Sequence, residues 1–115
     1  MLLLAMSALT GCGEYQRVLK STDPNEKFDY AKRAFDEKKY VQSATLLEEV
    51  VGVLKGTERA EEALYLLGLS NYENHDYESA STYFNSYYTR YPRGKYTELA
   101  RFYCGYGYYL DSPDT

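Results

Sequence analysis

An all-α solenoid of stacked helical hairpins is the fold this 115-residue sequence predicts. Three observations carry the expectation. The stretch EEALYLLGLSNYENHDYESASTYFNSYYTRYP, Glu61 to Pro92, holds two short amphipathic segments joined by a polar turn. Leu64, Leu67 and Gly68 sit at i, i+3 and i+4 in the first, with Tyr72 a turn on; Tyr77, Ala80, Phe84 and Tyr87 keep helical spacing in the second until Pro92 stops it. The second observation is a constant internal offset of 37 residues, which pairs Ala31 with Gly68, Phe35 with Tyr72, Tyr40 with Tyr77, Ser43 with Ala80 and Leu47 with Phe84. The same step carries Ala63 to Ala100, Gly68 to Gly105 and Tyr72 to Tyr109. The third is punctuation: Asp23-Pro24 with Glu26 opens a helix, Gly56 closes one, and Thr57 followed by Glu58, Glu61 and Glu62 opens the next.

The order Leu64, Leu67-Gly68, Ala80, Phe84, Pro92 resembles the tetratricopeptide repeat. In that family small residues stand where two antiparallel helices cross, and bulky ones surround them. Asn71 departs from the pattern where an aromatic is usual, with Tyr72 beside it. The expected fold is therefore a tetratricopeptide-like helical-hairpin solenoid of about two and a half repeats, the unit being a little longer than the usual length of about 34 residues.

Taken from the start, residues 1–11 (MLLLAMSALTG) are apolar, uncharged and too short to span a bilayer, which takes about 20 residues. They read as the apolar region of a signal peptide; the missing basic region suggests a true start further upstream. Leu9-Thr10-Gly11-Cys12 resembles a bacterial lipoprotein box. Small residues let the chain lie extended in the peptidase site, and the Cys12 sulfur is the nucleophile that takes the lipid. An incidental cysteine behind a secretory peptide, or a buried N-terminal thiol, is the bland alternative. Two or more acyl chains suffice for stable anchoring where one is marginal. Gly13 in place of an inner-membrane retention aspartate favours the outer membrane, facing the periplasm.

Residues 12–22 then form the lipidated cysteine and a short tether. The first repeat spans 23–56, with helices at about Pro24–Glu37 and Tyr40–Leu54, and the second spans 57–93. Residues 94–115 hold the first helix of a third unit, at about Thr97–Leu110. The third unit reads as incomplete, so the chain is expected to be a piece of a longer solenoid, with a sticky face of Phe102, Cys104 and Tyr106. Without a disulfide partner once Cys12 is lipidated, Cys104 is expected to be a small core residue.

Composition narrows function. The net charge of −4 and the lack of a basic stripe argue against a nucleic-acid partner. With 15 Tyr, 4 Phe and no Trp, the chain is rich in rings that carry an apolar body and a polar tip, suited to helix interfaces and to half-wet binding surfaces. The one histidine, His75, falls in the Asn74-His75-Asp76 turn with no nucleophile beside it. No phosphate loop, dinucleotide fingerprint or zinc spacing occurs. The expectation is a protein that is not an enzyme and uses no cofactor, metal or small-molecule substrate.

The runs Ala44–Val51 with Lys55-Gly56-Thr57, Tyr83-Phe84-Asn85, Tyr88–Gly94 and Tyr96–Phe102 resemble the BamD family of outer-membrane β-barrel assembly lipoproteins, in its Bacteroidetes branch. Generic tetratricopeptide repeats lack the Tyr91-Pro92-Arg93-Gly94 connector. The resemblance covers residues 12–115 and about the N-terminal half of such a protein. It implies a lipid-anchored scaffold whose N-terminal repeats receive the aromatic-ended C-terminus of unfolded barrel proteins. Its other partners would be the assembly subunits. Because the first helix of each hairpin lines the concave face, Tyr65, Asn71, Tyr72, Arg101 and Tyr108 are the candidate groove residues; Tyr stacking and Arg–carboxylate pairing suit such a ligand. Tyr72 also has a core reading, since it repeats Phe35. The alternatives are another periplasmic repeat lipoprotein, in cell division or envelope integrity, and the N-terminal module of an envelope hydrolase.

Overall fold

The structure is a computed structural model and describes residues 13–113. The signal-peptide, lipoprotein-box and Cys12 readings lie outside these residues. Five long helices follow one another: α1 (Pro24–Asp36), α2 (Tyr40–Val50), α3 (Glu58–Glu73), α4 (Tyr77–Arg90) and α5 (Thr97–Asp111). Each packs chiefly on its neighbours in sequence, while α1–α3 and α3–α5 touch more sparsely. That is the contact pattern of stacked hairpins, with α1, α3 and the start of α5 along one face. Among the described residues there is no strand, and no helix is long and apolar enough to cross a membrane.

The internal repeat is visible in geometry. Lys38 and His75, which are 37 positions apart, adopt φ values of 63° and 64°. Each follows a helix whose last turn is closed the same way: the Lys39 amide donates to Ala34 O and the Asp76 amide to Asn71 O. Just beyond, Phe35 meets Tyr40 edge-on at 5.3 Å, and Tyr72 meets Tyr77 edge-on at 5.5 Å. The crossing inside the second hairpin is as tight as Gly68 implies: a Cβ built there would lie 2.7 Å from the Phe84 ring. Between hairpins the close approaches are also small. The Ser43 and Ser70 hydroxyls are 3.0 Å apart, and Gly107 faces Ser81, whose hydroxyl would lie 2.8 Å from an added Cβ.

Two joined cores result. Phe28, Ala31, Leu46, Leu47 and Leu67 fill the first, and Leu64, Tyr65, Ala80, Phe84, Tyr87, Ala100 and Cys104 the second. Helix α3 supplies both, which makes it the central wall. As expected, Cys104 is a buried small residue; it is a free thiol with Sγ 3.5 Å from Ser81 O. The expected sticky face is accordingly corrected: Phe102 and Tyr106 are exposed, whereas Cys104 faces α4.

Several local expectations also change. Residues 13–19, expected as a short tether, are helical, because Tyr15, Val18 and Leu19 share one helical face. Val18 is fully buried, Tyr15 lies 5.9 Å from the Tyr30 ring, and the Lys27 ammonium donates to Leu19 O. This segment closes the α1–α2 end of the stack. At the start of α1, Asp23 accepts from the Asn25 amide as a cap should. Its own amide, however, donates to Ser21 Oγ, and Ser21 in turn donates to Glu26, so a serine relays the expected reciprocal bond. Helix α2 stops at Val50 instead of Leu54, since Val51-Gly52-Val53 is a poor helical sequence; Gly56 still closes the segment at φ 90°. The Thr57 hydroxyl does not cap α3 but donates to Leu54 O.

Candidate binding groove

A cleft of about 240 Å³ opens on the face formed by the first helices, lined by Lys32, Phe35 and Asp36 of α1, Glu62, Tyr65, Leu66 and Leu69 of α3, and Tyr96 before α5. Its α3 wall recurs at i, i+3, i+4 and i+7, one helical stripe. Tyr65 and Tyr96 stack in parallel with centroids 4.2 Å apart and planes 1° off. Burial, followed by the neighbouring Tyr103 and Tyr96 hydroxyls, pushes the Tyr65 phenol up to about 12, so it is neutral at ordinary pH. At the rim Lys32 pairs with Glu62 at 2.8 Å, and the hydrogen bond to that carboxylate raises the Lys32 ammonium above its usual value. The cleft thus combines an aromatic and aliphatic lining with charges of both signs at its edge. Its volume falls below the range of about 300–1,000 Å³ usual for whole small-molecule sites, and suits a large side chain of a bound polypeptide.

Tyr96 is held in place by a partly buried polar junction at the Tyr-Pro-Arg-Gly connector. The fully buried Tyr87 donates its hydroxyl proton to Glu61 Oε2 at 2.9 Å and accepts from the Tyr96 amide at 2.9 Å. The Lys95 amide donates to the same Glu61 oxygen at 3.0 Å. Burial raises the Tyr87 phenol well above its usual range; the Tyr96 amide pulls it back and the Glu61 carboxylate adds to the rise. The Thr97 hydroxyl donates toward Tyr91 O, with Gly94 O 3.1 Å away. Only a glycine fits at 94, because a Cβ there would lie 2.7 Å from the Tyr87 oxygen. One tyrosine hydroxyl therefore ties α3, α4 and the connector together and sets the ring that edges the cleft.

Of the five candidate residues, Tyr65 lines the cleft and the other four do not. Tyr72 wedges between α4 and α5, with ring centroids 5.5 Å from Tyr77, 6.5 Å from Phe84 and 4.9 Å from Tyr103; its core reading prevails. The Asn71 amide group donates to Leu67 O within its own helix. Arg101 is exposed, with its guanidinium 5.4 Å from the centre of the Tyr88 ring, and borders a separate polar cleft of about 470 Å³ with Pro92, Arg93 and Lys95. Tyr108 is exposed near the end of α5. Asn71 lies off the stripe of Glu62, Tyr65, Leu66 and Leu69, whereas Tyr72, two turns beyond Tyr65 on the same side of α3, is covered by Tyr77, Phe84 and Tyr103.

The missed lining residues had a signal. Glu62, Leu66 and Leu69 sit at helical spacing with Tyr65, and the repeat offset relates Leu69 to Lys32. Tyr96 had none, since only the folded connector brings it onto Tyr65. His75 is exposed in its turn, 5.8 Å from the Tyr77 ring. Among the described residues no group of three or more His, Cys, Asp or Glu is arranged to hold a metal. Comparison with known protein families, with curated proteins and with solved structures finds no match for this chain.

Proposed function

We propose that this chain is a non-enzymatic scaffold of the outer-membrane β-barrel assembly machinery, anchored through acyl chains on Cys12 at the periplasmic face and receiving unfolded barrel proteins on its repeat face. The observation that carries the binding part is the cleft between α1 and α3, with its Tyr65–Tyr96 stack beside Phe35, Leu66 and Leu69. Such a surface accepts an aromatic side chain, and Lys32 at its rim offers a cation to a neighbouring carboxylate. The membrane, compartment and partner parts rest on the lipoprotein box and on the resemblance of the connector motif.

The test places a photo-crosslinking residue at Leu69, in the cleft wall, in living cells of the source organism, with adducts identified by mass spectrometry. Adducts with nascent barrel proteins or the barrel-forming assembly subunit are the expected result. Adducts confined to division or peptidoglycan proteins would replace this reading with that of a different envelope lipoprotein. Substituting Cys12→Ala should release the protein from the outer-membrane fraction; retention there would remove the lipid anchor from the proposal.

A further inference from the structure

The cations of this chain divide sharply between its two halves. Every ion pair among the described residues joins groups that lie between Glu14 and Glu62. Arg90, Arg93, Lys95 and Arg101 cluster around the α4–α5 connector and take part in none of these pairs. One carboxylate, Glu98, lies among residues 90–101, in a chain whose net charge is −4. Three of the four cations, Arg93, Lys95 and Arg101, line the cleft of about 470 Å³, with Pro92 and Leu99 as its apolar part and Glu98 as its one acid.

Two of these cations are held by rings rather than by carboxylates. The Lys95 ammonium sits 5.4 Å from the centre of the Tyr96 ring, and the Arg101 guanidinium 5.4 Å from that of Tyr88. A ring face steadies a cation without neutralising it, so both charges stay available to an anion. Like charges gathered on one concavity repel, and an anion that enters relieves the repulsion. The polar cleft also adjoins the aromatic one. Lys95 lines the first and Tyr96 the second, and the Tyr96 ring meets the Lys95 ammonium and stacks on Tyr65.

We propose that the polar cleft is a second subsite of the groove and takes an acidic stretch of the bound polypeptide. Two or more Asp or Glu side chains enter it, next in sequence to the aromatic residue that enters the first cleft. The inference rests on the groove reading for the kind of ligand, a polypeptide, and adds its charge. Size and charge argue for more than one carboxylate. The polar cleft has about twice the volume of the aromatic one, 470 against 240 Å³, and presents three cations where one arginine fork engages a lone carboxylate. A free phosphate would leave the adjoining aromatic cleft empty, and a lipid surface is too flat to follow the cations into a concavity.

The experiment uses the full chain and a fluorescein-labelled peptide with one phenylalanine followed by three aspartates, its C-terminus amidated. Binding is read by fluorescence anisotropy at low and at physiological salt. Replacing the aspartates by asparagines should weaken binding by about tenfold, and the difference should shrink as salt rises. Arg93→Glu with Arg101→Glu should abolish the preference for the aspartate peptide. Lys20→Glu with Lys55→Glu, an equal change of net charge at exposed sites elsewhere, should keep it. Equal binding of the aspartate and asparagine peptides would overturn the acidic subsite and leave the groove reading standing. Equal effects of the two charge-reversed pairs would overturn it as well, by reducing it to net charge. Replacing the phenylalanine by serine without loss of affinity would instead overturn the groove reading and keep the acidic subsite. No binding of either peptide would overturn both. Displacement of the peptide by inorganic phosphate, beyond that by chloride at equal ionic strength, would assign the cleft to a phosphate group and overturn the proposal. So would binding to phosphatidylglycerol vesicles that Arg93→Glu with Arg101→Glu prevents.

Discussion

Lys38 and His75 show how strongly the repeat constrains single residues. Both hold the left-handed backbone conformation that ends the first helix of each hairpin, a place where glycine is usual and other residues carry a steric cost. Both side chains are exposed, and of the two only His75 has a ring contact to lose. Lys38→Gly is expected to stabilise the chain by about 0.5–1 kcal/mol, read as a rise in the urea midpoint. His75→Gly should give less, because it also removes the ring beside Tyr77. A destabilising Lys38→Gly would show that the unfolded-state entropy of glycine outweighs the relief of strain. The 37-residue offset was legible in the sequence and predicts that these two turns match. That they would match with lysine and histidine in place of glycine was not legible, since neither residue signals that conformation.

At the scale of elements, the connector between α4 and α5 is held by one buried hydroxyl. Tyr87 serves Glu61 of α3 and the Tyr96 amide at once, and Lys95 shares the same carboxylate. Tyr87→Phe keeps the ring and removes the oxygen, leaving the half-buried Tyr96 amide without its acceptor and the Glu61 oxygen with only the Lys95 amide. The expected cost is about 1–3 kcal/mol in urea unfolding. It should also loosen Tyr96, so crosslinking from Leu69 should fall in that variant. A cost near zero would mean that water replaces the hydroxyl without strain. The exposed ion pairs, such as Arg33–Glu14 and Arg59–Asp29, are worth far less, typically under about 1 kcal/mol each.

For the whole molecule, the tyrosines make stability sensitive to alkali. Tyr65 titrates near 12 in the fold against 10.0 outside it, so its contribution is complete below about pH 10 and is lost as pH climbs toward 12. Tyr87 is raised in the same direction, chiefly by burial, and Tyr72 and Tyr83 are too. From Tyr65 alone the loss by about pH 12 approaches 2–3 kcal/mol. Thermal unfolding followed across this range should therefore show a falling midpoint with a cooperative rise in tyrosinate absorbance. Tyr65→Phe should make the decline shallower. A midpoint that stays flat to pH 12 would show that these hydroxyls ionise without loss of the fold.

The helices, their order and the hairpin stacking were legible along the chain, because periodicity, caps and the repeat offset are local properties. So was the close crossing at Gly68, while Cys104 had both a core and a sticky-face reading and proved buried. Packing set which part of α3 stays open in the cleft and which α4 and α5 cover; Tyr72 had both a groove and a core reading along the chain, and it lies between helices. Only the tertiary structure brought Tyr96 onto Tyr65 through the Tyr87–Glu61 junction, whose partners lie 26 and 34 residues apart. The physical reason is common to both cases. Helical spacing is local and can be read along the chain, whereas the rotation of a helix against its neighbours and the course of a connector are set by contacts between residues far apart in sequence.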